Sequence, residues 1–134
     1  MTSVVADTHT IIWYLVEPEK LSKNALLALD SATIQGESIC ISAISIVEVC
    51  YLVERSRLSE LVLQRLLNVC DVKDAVVVSV PLNRAIAETI HQIPRDSVPD
   101  MPDRIIAATA LYLNLPLVTR DRKIQSLEAI QIIW

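Results

Sequence analysis

Short aliphatic, β-branched runs alternate along this chain with longer stretches whose apolar positions recur at helical spacing. That alternation is the pattern of a parallel α/β domain. The runs predict strands near Ser3–Ala6, Ser38–Ile41, Ala75–Val80, Leu117–Thr119 and Gln131–Ile133, with Met1 leading almost directly into the first. The first four are nearly all apolar, which fits strands covered on both faces. Ser22 predicts the N-cap of a helix over Lys23–Thr33, with Gly36 as its stop signal. Ser42 caps a helix to Arg55, Ser59 opens one to Cys70, Asn83 one to His91, and Pro102 one to Leu113. Thr8-His9-Thr10 leads into another helix, and a short turn follows Asp121. Only Ile93–Met101, with Pro94 and Pro99, reads as a loop, and it is too short to link domains. Residues 1–134 therefore read as one domain.

Composition narrows this further. The 134 residues are 52% hydrophobic and 21% charged, which excludes disorder. With one Gly and no Phe, the core must come from Ile, Val, Leu and Ala. No apolar stretch reaches the length of a membrane span, and the N-terminus has no basic segment and meets an acid at position 7, so neither a membrane anchor nor a signal peptide is expected. Cys40, Cys50 and Cys70 form no CxxC pair and sit in apolar surroundings, which reads as buried, reduced thiols of a cytoplasmic protein. The net charge of −4 argues against a protein that coats nucleic acid generically, though not against one that touches RNA locally.

The chemistry rests on four carboxylates in or beside apolar runs: Asp7, Glu48, Asp103 and Asp121. Acids are seldom buried without a compensating cation. Asp7 ends the first strand and Asp121 follows the fourth, and open parallel sheets bind ligands beyond the carboxyl ends of their strands. Each also fits a helix N-cap. Glu48 has Ile44, Ser45, Tyr51 and Leu52 as its helical neighbours, none of them basic, so no local ion pair satisfies it. It faces either a ligand or a solvent stripe shared with Ser45 and Arg55. Asp103 fits a first-turn acid favoured by the helix dipole, with Asp100 as the cap.

Four segments carry a resemblance. Val5-Ala6-Asp7-Thr8-His9-Thr10-Ile11-Ile12-Trp13, Ser42-Ala43-Ile44-Ser45-Ile46-Val47-Glu48, Asp100-Met101-Pro102-Asp103-Arg104-Ile105-Ile106-Ala107-Ala108 and Leu117-Val118-Thr119-Arg120-Asp121 resemble, in order and spacing, the motifs of PIN-domain nucleases, specifically VapC-type toxins. No one motif is specific, but the set is, and it covers nearly the whole chain. The resemblance implies a three-layer α/β/α domain around a five-stranded, mostly parallel sheet, with the first and fourth strands adjacent and Asp7 beside Asp121. It implies an acidic quartet of Asp7, Glu48, Asp103 and Asp121, supported by Thr119 and Asp100. It further implies an endoribonuclease leaving a 5′-phosphate and a 3′-hydroxyl, a homodimer, and a cognate antitoxin whose C-terminal segment crosses the acidic groove. The chain departs from the pattern in being acidic overall, with few basic residues near the motifs.

Carboxylate oxygens without a thiolate or imidazole cluster suit Mg²⁺ or Mn²⁺ rather than zinc. Asp7 and Asp121 are the expected direct ligands, joined by Asp103, with Glu48 holding a water or acting as general base. Arg104, Arg120 and Arg122, with Lys123, are candidates for RNA phosphates, against the alternative of solvated charges. His9 lacks a serine or cysteine nucleophile beside it, and Trp13, Tyr14 and Tyr51 are too scattered for a base-stacking platform, so packing is expected of them. The apolar faces around Ile11–Leu15 and Val47–Val53 are expected to serve the core or a dimer contact. Three rivals remain to be weighed: a PIN-like RNA-processing nuclease outside a toxin system, a non-catalytic interaction module, and a phospho-acceptor receiver domain. The last fails, because a single acid follows the first strand and Val80-Pro81-Leu82 follows the third.

Overall fold

The structure, a computed structural model, describes residues 3–134, so the reading that Met1 leads into the first strand lies outside the described residues. Strands β1 (Val4–Ala6), β2 (Ile39–Ser42), β3 (Val77–Val80), β4 (Leu117–Val118) and β5 (Ile132–Ile133) form one sheet in the order β3-β2-β1-β4-β5. Every pairing is parallel, so the expected mostly parallel sheet is wholly so. Helices α1 (Thr8–Val16), α2 (Lys23–Ile34), α3 (Ala43–Glu54), α4 (Glu60–Asp71), α5 (Arg84–Thr89), α6 (Met101–Leu113) and α7 (Arg122–Gln125) fill the connections.

Alternation along β1 makes the three layers. Val4 and Ala6 point into a core with Ile11, Leu29, Val49 and Leu66, while Val5 points into a second core with Ile86, Ile106, Ala107 and Ile124. Ala107, Ala108 and Ala110 are small enough to let α6 lie close over the sheet, and all three are fully buried. Helix ends follow their caps: Ser22, Ser42, Ser59 and Asn83 each accept a backbone N–H with their side chains. Gly36 (φ 70°) follows α2, and Asn114 (φ 54°) closes α6 in the left-handed region.

Two expectations need correction. β3 is a sheet edge that begins at Val77 and leaves Val78 and Ser79 exposed, so it is not covered on both faces. Cys50 and Cys70 are half-buried; only Cys40 is buried, and all three are free. Among the described residues, no helix is long and apolar enough to cross a membrane. The chain winds outward from β1 through β2 to β3, then crosses to the other side of β1 to place β4. That reversal opens a crevice between the carboxyl ends of β1 and β4, where an open α/β sheet takes its ligands.

Candidate active site

Asp7 leaves the end of β1 directly into that crevice and is 9% exposed. Its Oδ1 accepts the Thr10 N–H at 2.9 Å, which makes it the N-cap of α1. Its Oδ2 accepts the Thr119 hydroxyl. Thr119 Oγ1 also accepts the Asp121 N–H at 3.0 Å, so one buried threonine ties the two strand-end acids together. Parallel pairing of Ala6 with Val118 brings their backbones level beforehand. Asp121 Oδ1 accepts the N–H groups of Lys123 and Ile124 at 2.8 and 3.1 Å as the cap of α7. Asp100 caps α6 through the Asp103 N–H, and Asp103 occupies the first turn. Three acids thus fill the capping roles open to them without leaving the crevice.

Glu48 projects from α3, whose start at the end of β2 is fixed by the Ser42 cap. The Thr8 hydroxyl bridges Ser45 Oγ at 2.9 Å and Glu48 Oε1 at 2.6 Å. This contact and its place in the cavity lining turn Glu48 toward the crevice rather than onto a solvent stripe. Nothing in the sequence marked Thr8, because its partner stands 40 positions away.

Asp7, Glu48, Asp100, Asp103 and Asp121 line a single cavity of about 480 Å³, with Thr8, His9, Trp13, Ile106 and Arg120 completing the wall. A larger cavity of about 860 Å³ between α1, α4 and β3 is lined mainly by aliphatic side chains, with Asp74 as its one acid, so size does not mark the chemistry here. Burial, and then the charges of Asp100, Asp121, Glu48 and Asp7, push the Asp103 carboxyl up to about 7. Burial likewise raises Glu48, against the lowering effect of the Thr8 hydroxyl, with Asp100 adding to the rise and His9 opposing it. The ion pairs among the described residues, Lys20–Glu17 and Arg84–Glu88, include none of these acids.

A hard divalent cation suits this donor set. The available donors are carboxylate oxygens, and their mutual repulsion is what a cation would relieve. Among the described residues, no three acid, His or Cys side chains are drawn tightly enough to form a finished metal centre. The cavity gathers the acids in one place.

The basic candidates divide. Arg120 is exposed on the cavity wall. Arg122 and Lys123 are exposed on α7 and do not line the cavity. Arg104 is turned away: its guanidinium donates to the carbonyls of Ile90 (3.1 Å) and Ile93 (2.9 Å), and its Nε is buried without a partner. It anchors the segment before α6 rather than facing the cavity. Arg104→Met should lower unfolding stability by about 1–2 kcal/mol in urea titration and leave RNA cleavage unchanged. A cleavage defect at wild-type stability would return Arg104 to the site.

The comparisons agree with this architecture. A family model described as PIN domain matches residues 4–130. The chain is 32% identical over 126 residues to Ribonuclease VapC22 of Mycobacterium tuberculosis, covering 94% of this chain and 92% of that protein. Among solved structures, VapBC2 from Rickettsia felis bound to a DNA fragment from its promoter superposes with a TM-score of 0.71 at 16% identity, covering 96% of both chains. A toxin–antitoxin complex from Klebsiella pneumoniae gives 0.66 at 22%, covering 96% of this chain and 95% of that one.

Proposed function

The chain belongs to the PIN-domain family, and on that premise we propose that it is a divalent-metal-dependent endoribonuclease, the toxin of a VapBC-type toxin–antitoxin pair. The observation that carries the proposal is the convergence of Asp7, Glu48, Asp103 and Asp121, with Asp100, on one cavity without a basic partner in an ion pair. The 32% identity to a relative named as a ribonuclease supports RNA as the substrate.

Asp7, Asp103 and Asp121 would hold Mg²⁺ or Mn²⁺, with Glu48 at the cavity's edge. Such a cation supplies Lewis acidity toward a phosphoryl oxygen and favours ionisation of water. The chain's own residues do the rest. Thr119 and the Thr10 N–H fix both oxygens of Asp7, so that carboxylate keeps one orientation. Thr8 holds one oxygen of Glu48. The raised affinity of Glu48 for a proton suits a general base that accepts one from the attacking water.

Five carboxylates also form a receptor for a basic side chain, which supports an antitoxin that blocks the groove by delivering an Arg or Lys. A homodimer would use α3, where Val47 and Tyr51 stay 46% and 54% exposed. The Ile11–Leu15 face offers little for this, because Ile11 and Ile12 are in the core and the next three residues are half-buried. The proposed place of action is the cytoplasm, where the three free cysteines remain reduced. An RNA cleavage assay with Mg²⁺ or Mn²⁺ tests the proposal, with Asp7→Asn as the control: equal activity in the two proteins contradicts it.

A further inference from the structure

The cavity wall presents an arginine that ignores the acids around it. Arg120 shares the cavity with five carboxylates, yet no ion pair among the described residues includes it. Its guanidinium instead lies 5.6 Å from the centre of the Trp13 ring. Trp13 is itself held in place: it is half-buried against the core, its ring stands 6.2 Å from that of Trp134, and His9 lies 5.7 Å away on the preceding turn of α1. Lys20 also approaches the same ring, at 6.0 Å, but it is paired with Glu17. Stacking uses the face of a guanidinium and leaves its N–H edge available.

We propose that Trp13 is a positioning residue: it holds Arg120 off the carboxylates so that the guanidinium edge can receive an RNA phosphate adjoining the one that is cut. The inference rests on the nuclease reading and deepens it, because it names the residue pair that seats the strand. An RNA strand approaching five carboxylates meets repulsion, and Arg120 is the cation on the cavity wall. An arginine collapsed onto Asp7 or Asp121 would neutralise the site and offer the strand nothing. The tryptophan prevents that collapse without contributing a charge.

The test is a double-mutant cycle on Trp13 and Arg120, read by steady-state cleavage of a short fluorescein-labelled single-stranded RNA in Mn²⁺ and by anisotropy of the same RNA on the Asp7→Asn protein. Trp13→Leu and Arg120→Ala should each weaken RNA binding and raise KM about tenfold with kcat nearly kept. The double variant should be no worse than either single one, since both remove the same contact. Trp13→Phe, which keeps a ring under the guanidinium, should recover most of the loss and guards against a trivial folding defect. Additive losses, or a Trp13→Leu defect in kcat alone, would overturn the proposal. So would full loss in Trp13→Phe at wild-type melting temperature, or RNA binding unchanged in Arg120→Ala. If wild type cleaves no RNA at all, the nuclease reading fails, and the cycle distinguishes the two failures.

Discussion

Asp7→Asn is expected to lower kcat/KM for RNA cleavage about a thousandfold, the rate equivalent of losing about 4 kcal/mol of transition-state charge stabilisation. The substitution removes one charge and almost nothing else. Asparagine is as good an N-cap as aspartate, so its Oδ1 can still accept the Thr10 N–H. Thr119 can exchange roles, because a hydroxyl with two lone pairs accepts from an amide as readily as it donates to a carboxylate. The variant should therefore unfold within about 1 kcal/mol of wild type, and urea titration beside the kinetic assay checks this. A large loss of stability would turn the kinetic result into a folding effect. Near-normal cleavage in a folded Asp7→Asn protein would remove the residue from the chemistry.

Asp103→Asn should stabilise the metal-free protein at pH 8 by about 1–2 kcal/mol, a figure reduced for the solvent that reaches this half-buried carboxyl. The sign follows from proton binding. In the folded protein burial and four neighbouring acids hold the Asp103 carboxyl near 7, against 3.8 for a free aspartate. Between these values the folded state keeps a proton that the unfolded chain has lost. Stability therefore falls as pH rises through that window and stays low above it. Asparagine removes the penalty, so the variant's advantage should be absent at pH 3, grow through the window and level off above pH 7. The helix dipole works the other way, because a first-turn acid is favoured there, but only by a few tenths of a kcal/mol on an exposed surface. Chemical denaturation across this pH range checks both sign and window. A wild-type protein more stable than the variant at pH 8 without metal would show that the acids are already compensated.

The acids were readable in the sequence because strand ends and helix starts are local features. Asp7 and Asp121 each follow an aliphatic run, and the parallel rule places both at the carboxyl ends of the strands. Their partners were less readable. Arg104 follows Asp103 directly, and adjacency suggested a shared site, but successive residues on a helix point about 100° apart, so Arg104 reaches the carbonyls of Ile90 and Ile93 instead. Arg122 fails for the same reason on α7, whereas Arg120, just before Asp121, reaches the cavity wall. Thr8 depends on a contact with another helix, which no local pattern reports. Trp13 could have been found: it stands four residues after His9, the spacing that puts two side chains on one helix face. β3 read as a covered strand because an apolar run looks the same at an edge as in the middle of a sheet.

The proposed chemistry depends on one cation being shared by oxygens from the residues that follow β1 and β4 and from the first turn of α6. Thermal unfolding with and without Mn²⁺ at pH 8 tests that most directly, in wild type and in the single variants Asp7→Asn, Asp103→Asn and Asp121→Asn. Sharing predicts a clear rise in Tm for wild type that shrinks or vanishes in each of the three variants, because each removes an oxygen from the same ion. An unchanged rise in all three would contradict it, as would the absence of any rise at saturating Mn²⁺.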